Sequence, residues 1–251
     1  MTLEKDKSSD RSPAYSTHGG RLPLHVQVSE LLAREIQAGI IPDGERLAPE
    51  RQMAAQMGIA VGTLRKALAD LTEKGLLERV QGSGNYARNT KEARTIYGFF
   101  HLELIEGGGL PTAEIISVDR MVKPDDLPDF GTSREGFLIK RLRRLNGVDA
   151  ALEEIWLDGS RAQTIRTEDL RDSLYVFYRK KLNLWIFRAT DTVSVAPVPN
   201  WQPDNFASRP SGPHAVWGFI ERMSYDQKNV SAEYSRTWFD PKTTRFVARW
   251  N

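Results

Sequence analysis

The chain has no cysteine among its 251 residues. Disulfides, thiolate metal sites and a cysteine nucleophile are therefore excluded. A cysteine-free chain suits a reducing compartment, so a cytoplasmic protein is expected. Histidine is scarce as well. His18, His25, His101 and His214 stand far apart and form neither an HxxxH nor an HExxH pair, which leaves little from which to build a transition-metal site. No apolar run approaches the roughly 20 residues that a membrane-spanning helix needs. The opening "MTLEKDKSSDRSPAYSTHGG" has no apolar centre of the kind a secretory signal carries. It is rich in Ser, Gly and mixed charge, and residues 1–20 read as a disordered tail. An excess of one charge is also missing. With 35 Lys and Arg against 33 Asp and Glu, the formal net charge is +2. A nucleic-acid partner is neither demanded nor excluded by that balance, because a binding patch is local. A binder that lives on phosphate contacts alone is disfavoured.

Two composition regimes follow the tail. Residues 21–88 are helical in pattern up to about residue 77, and residues 97–251 are rich in Trp, Tyr, Phe, Val and Ile in short alternating runs. The polar, charged stretch between them places a linker at 89–96. In the first region, "PLHVQVSELLAREIQAG" has Pro23 near a helix start and Gly39 as a stop, with Val28, Leu31, Leu32 and Ile36 as its apolar stripe. "IIPDGERL" supplies turn residues. "APERQMAAQMGI" starts a second helix at Pro49 and Glu50 and ends it at Gly58. In "AVGTLRKALADLTEKG", Leu64, Leu68 and Leu71 recur at i, i+4, i+7 and Gly75 caps the end. "LLERVQGSGNYAR" then reads as strand, Gly82-Ser83-Gly84 turn, strand. Helix, short helix, short turn, helix, hairpin is the order of a winged helix-turn-helix, whose third helix can enter a major groove while the hairpin reaches the flanking backbone.

These residues resemble a known family. "PLHVQV", "GERLAPERQMAAQMGIA", "TLRKALADLTEKGLLERV" and "QGSGNY" are similar to the DNA-binding domain of GntR-type bacterial transcription regulators, with unbroken spacing over residues 23–86. The resemblance implies DNA-contact roles. Arg51 matches the arginine of the family's "LPSER" stretch, Thr63 and Arg65 match its recognition-helix threonine and arginine, and Gly82 matches the wing glycine, with Gln81 just before it. Lys66 is added on its exposed place near the helix start. Where the family often has Ser-Arg, this chain has Ala60-Val61. An arginine bidentate to guanine is the commonest specific base contact, and Val61 cannot make it. Val61 either meets a thymine methyl or packs against the preceding helix, and Gly62 permits close backbone approach. DNA binding is expected to survive, with an operator unlike that of relatives carrying arginine here. Ala60 is a poor helix N-cap.

The C-terminal region offers seven strand-like runs, from "IYGFFHLEL" to "SAEYSRTWFD", and one amphipathic helix within "DLRDSLYVFYRKKLN". The fold class is therefore α+β, dominated by an antiparallel sheet. In a strand, Arg141 and Arg143 share a face with Phe137 and Ile139. Two guanidiniums among apolar neighbours need an anion or carboxylates, and an arginine fork suits phosphate or carboxylate. Internal pairing with Glu153 or Glu154 on the next strand is the alternative, and Arg144 is expected to face solvent. Ser173 stands at a helix start, either as an anion contact or as a plain cap. Arg222 and Ser224 share one strand face, and Tyr225 follows. Trp156, Trp185, Trp217 and Trp238 read as core or dimer contacts.

"RLRRLNGVDAALEEIWL", "DSLYVFYRKKLNLWI" and "ERMSYDQKNVSAEYSRTWFD" resemble the UTRA effector domain of the HutC-type branch, which has a chorismate-lyase-like fold. The resemblance implies a small-molecule effector, often phosphorylated or carboxylated, held by arginines of an R-x-R strand, and Glu233 matches a glutamate of the family's penultimate strand. Arg141, Arg143, Glu153, Ser173, Arg222, Tyr225 and Glu233 are the effector-site candidates. The expected function is a homodimeric regulator of double-stranded operator DNA, a repressor by family habit, with no cofactor. An enzyme built on the chorismate-lyase-like fold is the competing reading, but no nucleophile-base pair or metal site stands in the sequence. A non-sensing DNA-binding protein is the third.

Overall fold

The computed structural model describes residues 23–37, 39–89, 100–170, 174–203, 206 and 216–248. The expected tail, most of the expected linker and Ser173 lie outside them. The described residues form two compact units, 23–89 and 100–248.

The first unit has three helices, α1 (Leu24–Gln37), α2 (Glu50–Gln56) and α3 (Val61–Glu73), then a hairpin of β1 (Leu77–Val80) and β2 (Gly84–Ala87). Its core gathers Val28, Leu32 and Ile36 of α1, Met53 and Ala54 of α2, and Leu64, Leu68 and Leu71 of α3. Leu31 is only half-buried. Glu30, in contrast, is 1% exposed. Its Oε1 lies 2.5 Å from Lys74 Nζ, which also lies 2.7 Å from Asp70 Oδ2. That buried pair ties α1 to the end of α3. Gly75, at φ +72°, turns the chain out of α3, and Leu76 N–H closes back on Leu71 O at 2.9 Å, which satisfies an otherwise orphaned helix-end carbonyl. Residues 44–47 run beside β2 as a third wing strand, with Leu47 N–H donating to Asn85 O at 2.9 Å and Arg46 bridging Tyr86.

The second unit is a six-stranded antiparallel sheet in the order β4-β5-β6-β9-β8-β7. Its strands are β4 (Pro111–Val122), β5 (Glu135–Leu145), β6 (Val148–Asp158), β7 (Ile186–Pro197), β8 (Val216–Asp226) and β9 (Ser231–Phe239). A separate pair joins β3 (Leu102–Leu104) and β10 (Thr244–Phe246). The helix α4 (Leu174–Leu182) covers one face of the large sheet. Phe137 and Ile139 of β5 and Ile155 and Leu157 of β6 pack there against Leu174, Phe177 and Tyr178. The other face carries Trp217, Trp238, Leu142 and Leu152 in one cluster and Trp156, Leu138 and Tyr234 in another. Trp156, Trp217 and Trp238 are thus core residues, and Trp185 is half-buried beneath the Arg179 guanidinium at 4.0 Å. Arg144 does not stand free in solvent. It pairs with Asp149 at 2.7 Å and Glu114 at 2.8 Å and is 19% exposed in its side chain, because the flanking strands each offer it a carboxylate. None of the described helices is long and apolar enough to cross a membrane.

Candidate functional site

The first unit opens a groove of about 640 Å³ between α2, the start of α3 and the wing. Arg46, Arg51, Arg65 and Arg79 line it, together with Gln81, Gly82 and Glu50. Of the residues singled out from the sequence, Arg51, Arg65, Gln81 and Gly82 are brought together here. Arg46 and Arg79 were missed. Arg46 becomes a groove residue because residues 44–47 pair with β2, a contact between segments about forty positions apart that periodicity does not report, whereas Arg79 is placed by the local β1–β2 hairpin opposite Asn85.

The chemistry of the lining is one-sided. Glu50 is the one carboxylate there, and it is engaged: Arg65 Nε donates to Glu50 Oε2 at 2.6 Å. The sequence offers Glu50 to Arg51 as readily, but the geometry gives it to Arg65. Arg51 is exposed and has no side-chain partner among the described residues. Gly82 stands at the wing tip with φ +75°, a conformation that side chains adopt only at a cost. On α3, Lys66 and Gly62 are exposed and Thr63 is half-buried. Val61 is half-buried and packs on the helical core. A Cβ added at Gly62 would meet nothing within 4 Å, so the fold itself does not require glycine there. Ala60 starts α3 without a side-chain cap.

The second unit holds a buried polar face beneath α4. Three cross-strand pairs build it: Arg141 opposite Glu153, Ser224 opposite Glu233, and Arg222 opposite Asp191. Arg141 Nε donates to Glu153 Oε2, and Arg143 Nη2 approaches the same oxygen at 3.2 Å. Arg222 clasps Asp191 with two bonds of 2.6 Å. Glu233 accepts from the Tyr178 hydroxyl of α4 at 2.6 Å and from Ser224 Oγ at 3.0 Å. The Tyr175 hydroxyl, also on α4, accepts from Arg222.

Burial and charge compete at each titratable group. Burial pushes the Glu153 carboxyl up, but Arg141 and Arg143 outweigh it and hold it below the ordinary range. At Glu233 burial wins over the hydroxyl bonds and the two arginines, and its carboxyl is raised. Burial and the charge of Glu233 push the Tyr175 phenol up to about 12. The alternation of β5 placed Arg141 and Arg143 on one face correctly, and their carboxylate is Glu153, since Glu154 points to the other face and accepts from Trp201 Nε1. Tyr225 does not join the cluster. It follows a break in the β8 register and stacks under the Arg188 guanidinium at 3.7 Å. Asp191, Tyr175 and Tyr178 were not singled out. Asp191 had a signal, its alternation with Val193 and Val195, but nothing marked its partner.

Two family models match. Residues 24–86 match the bacterial regulatory proteins of the gntR family, and residues 106–245 match the UTRA domain. The HTH-type transcriptional regulator SmoD of Agrobacterium fabrum is 55% identical over 233 residues, which cover 92% of this chain and 97% of that protein.

The chain belongs to the GntR family.

It pairs the GntR reader with a UTRA domain, as the HutC-type branch does, and it is a DNA-binding transcription regulator controlled by a ligand. Among other GntR relatives, the Mannosyl-D-glycerate transport/metabolism system repressor MngR of Escherichia coli is 25% identical over 91% of this chain and 96% of its own. The repressor NagR of Bacillus subtilis is 22% identical over 90% and 94%. The fold is also that of the solved structure of a possible transcriptional regulator, YydK of Bacillus subtilis, with a TM-score of 0.50 and 19% identity over 92% of this chain and all of that one. The family and these relatives are transcription regulators.

Proposed function

We propose that this GntR-family chain is a cytoplasmic homodimeric repressor that grips operator DNA in the arginine-lined groove and releases it when a small anionic metabolite binds the polar face beneath α4. The groove carries the reading: four arginines line it, and its one carboxylate is already taken up by Arg65. Arg65, Thr63 and Gly62 face the bases. Arg51, Lys66, Arg46 and Arg79 hold phosphates, which position the protein without reading sequence. Gln81 and Gly82 bring the wing tip against the backbone. Val61 is occupied by the core and leaves its base position unread by arginine, so the operator differs there from those of arginine-bearing relatives.

On the effector side, Arg141, Arg143, Arg222, Glu153 and Glu233 form the candidate contacts. Three guanidiniums gather there, and an arginine fork suits a phosphorylated or carboxylated ligand. The names of two relatives, a repressor in each case, support repression. The polar face spends its charged groups on one another, which favours binding over catalysis. Binding of operator DNA by fluorescence anisotropy, with and without phosphorylated and carboxylated sugars and small acids, tests the whole reading. Release by at least one anion that an Arg141→Ala variant ignores is the expected result. Operator binding that no anion alters would defeat the effector assignment.

A further inference from the structure

A carboxylate in a groove that receives a polyanion needs a reason to be there, since it repels phosphate and weakens every contact around it. Glu50 is that carboxylate. It opens α2, is 23% exposed in its side chain, and bonds one edge of a side chain on another helix, the Nε of Arg65, at 2.6 Å. Arg65 is 65% exposed, and neither of its Nη groups has a partner among the described residues. The guanidinium is therefore held at its Nε and free at its Nη groups to meet a further acceptor.

We infer that Glu50 is a positioning residue that fixes the Arg65 guanidinium for bidentate recognition of a guanine. The inference rests on Arg65 being a base reader. A guanidinium presents a rigid fork of donors, and a guanine presents O6 and N7 side by side in the major groove. With Nε satisfied by Glu50, the two Nη groups form the outward fork that matches that pair. An exposed arginine otherwise samples many rotamers and must surrender that freedom on binding. Holding it beforehand reduces that loss, and it does so only for the geometry that fits guanine. Glu50 thus lowers affinity for DNA in general and raises discrimination at one base.

The two effects have opposite signs, which makes the inference testable. Operator is first obtained by selection from random duplexes with the full chain. Affinities are then measured for that operator, for duplexes with each candidate guanine replaced, and for unrelated DNA, using wild type, Glu50→Gln, Arg65→Ala and the double variant. Wild type is expected to disfavour replacement of one guanine by roughly 5- to 150-fold. Glu50→Gln should lose most of that discrimination while binding unrelated DNA as well as wild type or better. In the Arg65→Ala background the Glu50 change should have no further effect on discrimination. Thermal denaturation of each variant separates loss of fold from loss of reading. If Glu50→Gln tightens all duplexes by one common factor and keeps the guanine preference, Glu50 is only a repulsive charge and the inference falls. If Arg65→Ala itself leaves the guanine preference intact, the base-reading role of Arg65 fails first.

Discussion

Arg141 and Arg143 converge on one carboxylate. Arg141 Nε bonds Glu153 Oε2, Arg143 Nη2 lies 3.2 Å from the same atom, and all three side chains are at most 11% exposed. A single negative charge thus holds two guanidiniums on the α4 side of the sheet. Removing one member of a buried charge set is far costlier than the set's net worth, because it strands the others. Glu153→Gln, which keeps the shape and removes the charge, should destabilise the protein by about 3–5 kcal/mol. Denaturant unfolding checks this, and a change under about 1 kcal/mol would show that the arginines are solvated in solution.

Glu233 gives a pH dependence of defined sign. Burial raises its carboxyl in the folded protein, against the opposing pull of Tyr178, Ser224, Arg141 and Arg222. A carboxyl raised on folding binds more protons folded than unfolded, so its contribution is present at low pH and is lost as pH climbs through the raised value. Glu153, held low by its arginines, acts in the opposite sense and loses its contribution as pH falls. Glu233→Gln should therefore flatten the decline of stability between the ordinary carboxylate range and neutral pH. Thermal unfolding across pH 4 to 8 measures it, and a steeper decline in the variant contradicts the assignment.

The start of α3 predicts two substitutions with unlike signatures. Gly62 is exposed, and a Cβ there meets nothing within 4 Å. Gly62→Ala should stabilise the free protein by about 0.5–1 kcal/mol through helix propensity and weaken operator binding, since the methyl keeps the backbone from the bases. Val61→Arg should instead create a new guanine preference in each half-site, of about 1–3 kcal/mol. Melting curves and anisotropy with base-replaced operators read both. Unchanged operator affinity in Gly62→Ala would place that turn of α3 away from DNA.

Much of the reader could be seen in the sequence, because its signals are local. Gly58 and Gly75 end helices where the pattern says they must, and Leu64, Leu68 and Leu71 face the core as their spacing requires. The period of β5 puts Arg141 and Arg143 on one face for the same reason. The rest depends on pairing between distant segments. Glu30 sits in a helix that reads as amphipathic, yet it is buried because Lys74 arrives from 44 positions away. Arg46 enters the groove through the third wing strand, and Tyr178 reaches Glu233 across 55 positions. Ser173 lies outside the described residues, and Tyr225, next to Ser224 in the strand, stacks under Arg188 and stays out of the Glu233 cluster.

Arg46 and Arg79 are assigned to phosphates, which fixes how their loss should look. Arg46→Ala and Arg79→Ala should each weaken operator and unrelated DNA by similar factors and reduce the slope of log affinity against log salt by about one. Arg65→Ala should weaken operator selectively. Titrations at four or five salt concentrations separate the two patterns. A selective loss in Arg46→Ala would make it a base reader.

The groove reading is the centre of the account, and selection from a random duplex pool with the full chain tests it most directly. The expected result is an enriched, two-fold-symmetric site whose half-sites lie about one helical turn or a multiple of it apart, lost when Arg51 and Arg65 are both replaced by alanine in a variant that still folds. Enrichment of no sequence, or of the same sequence by that double variant, would contradict it.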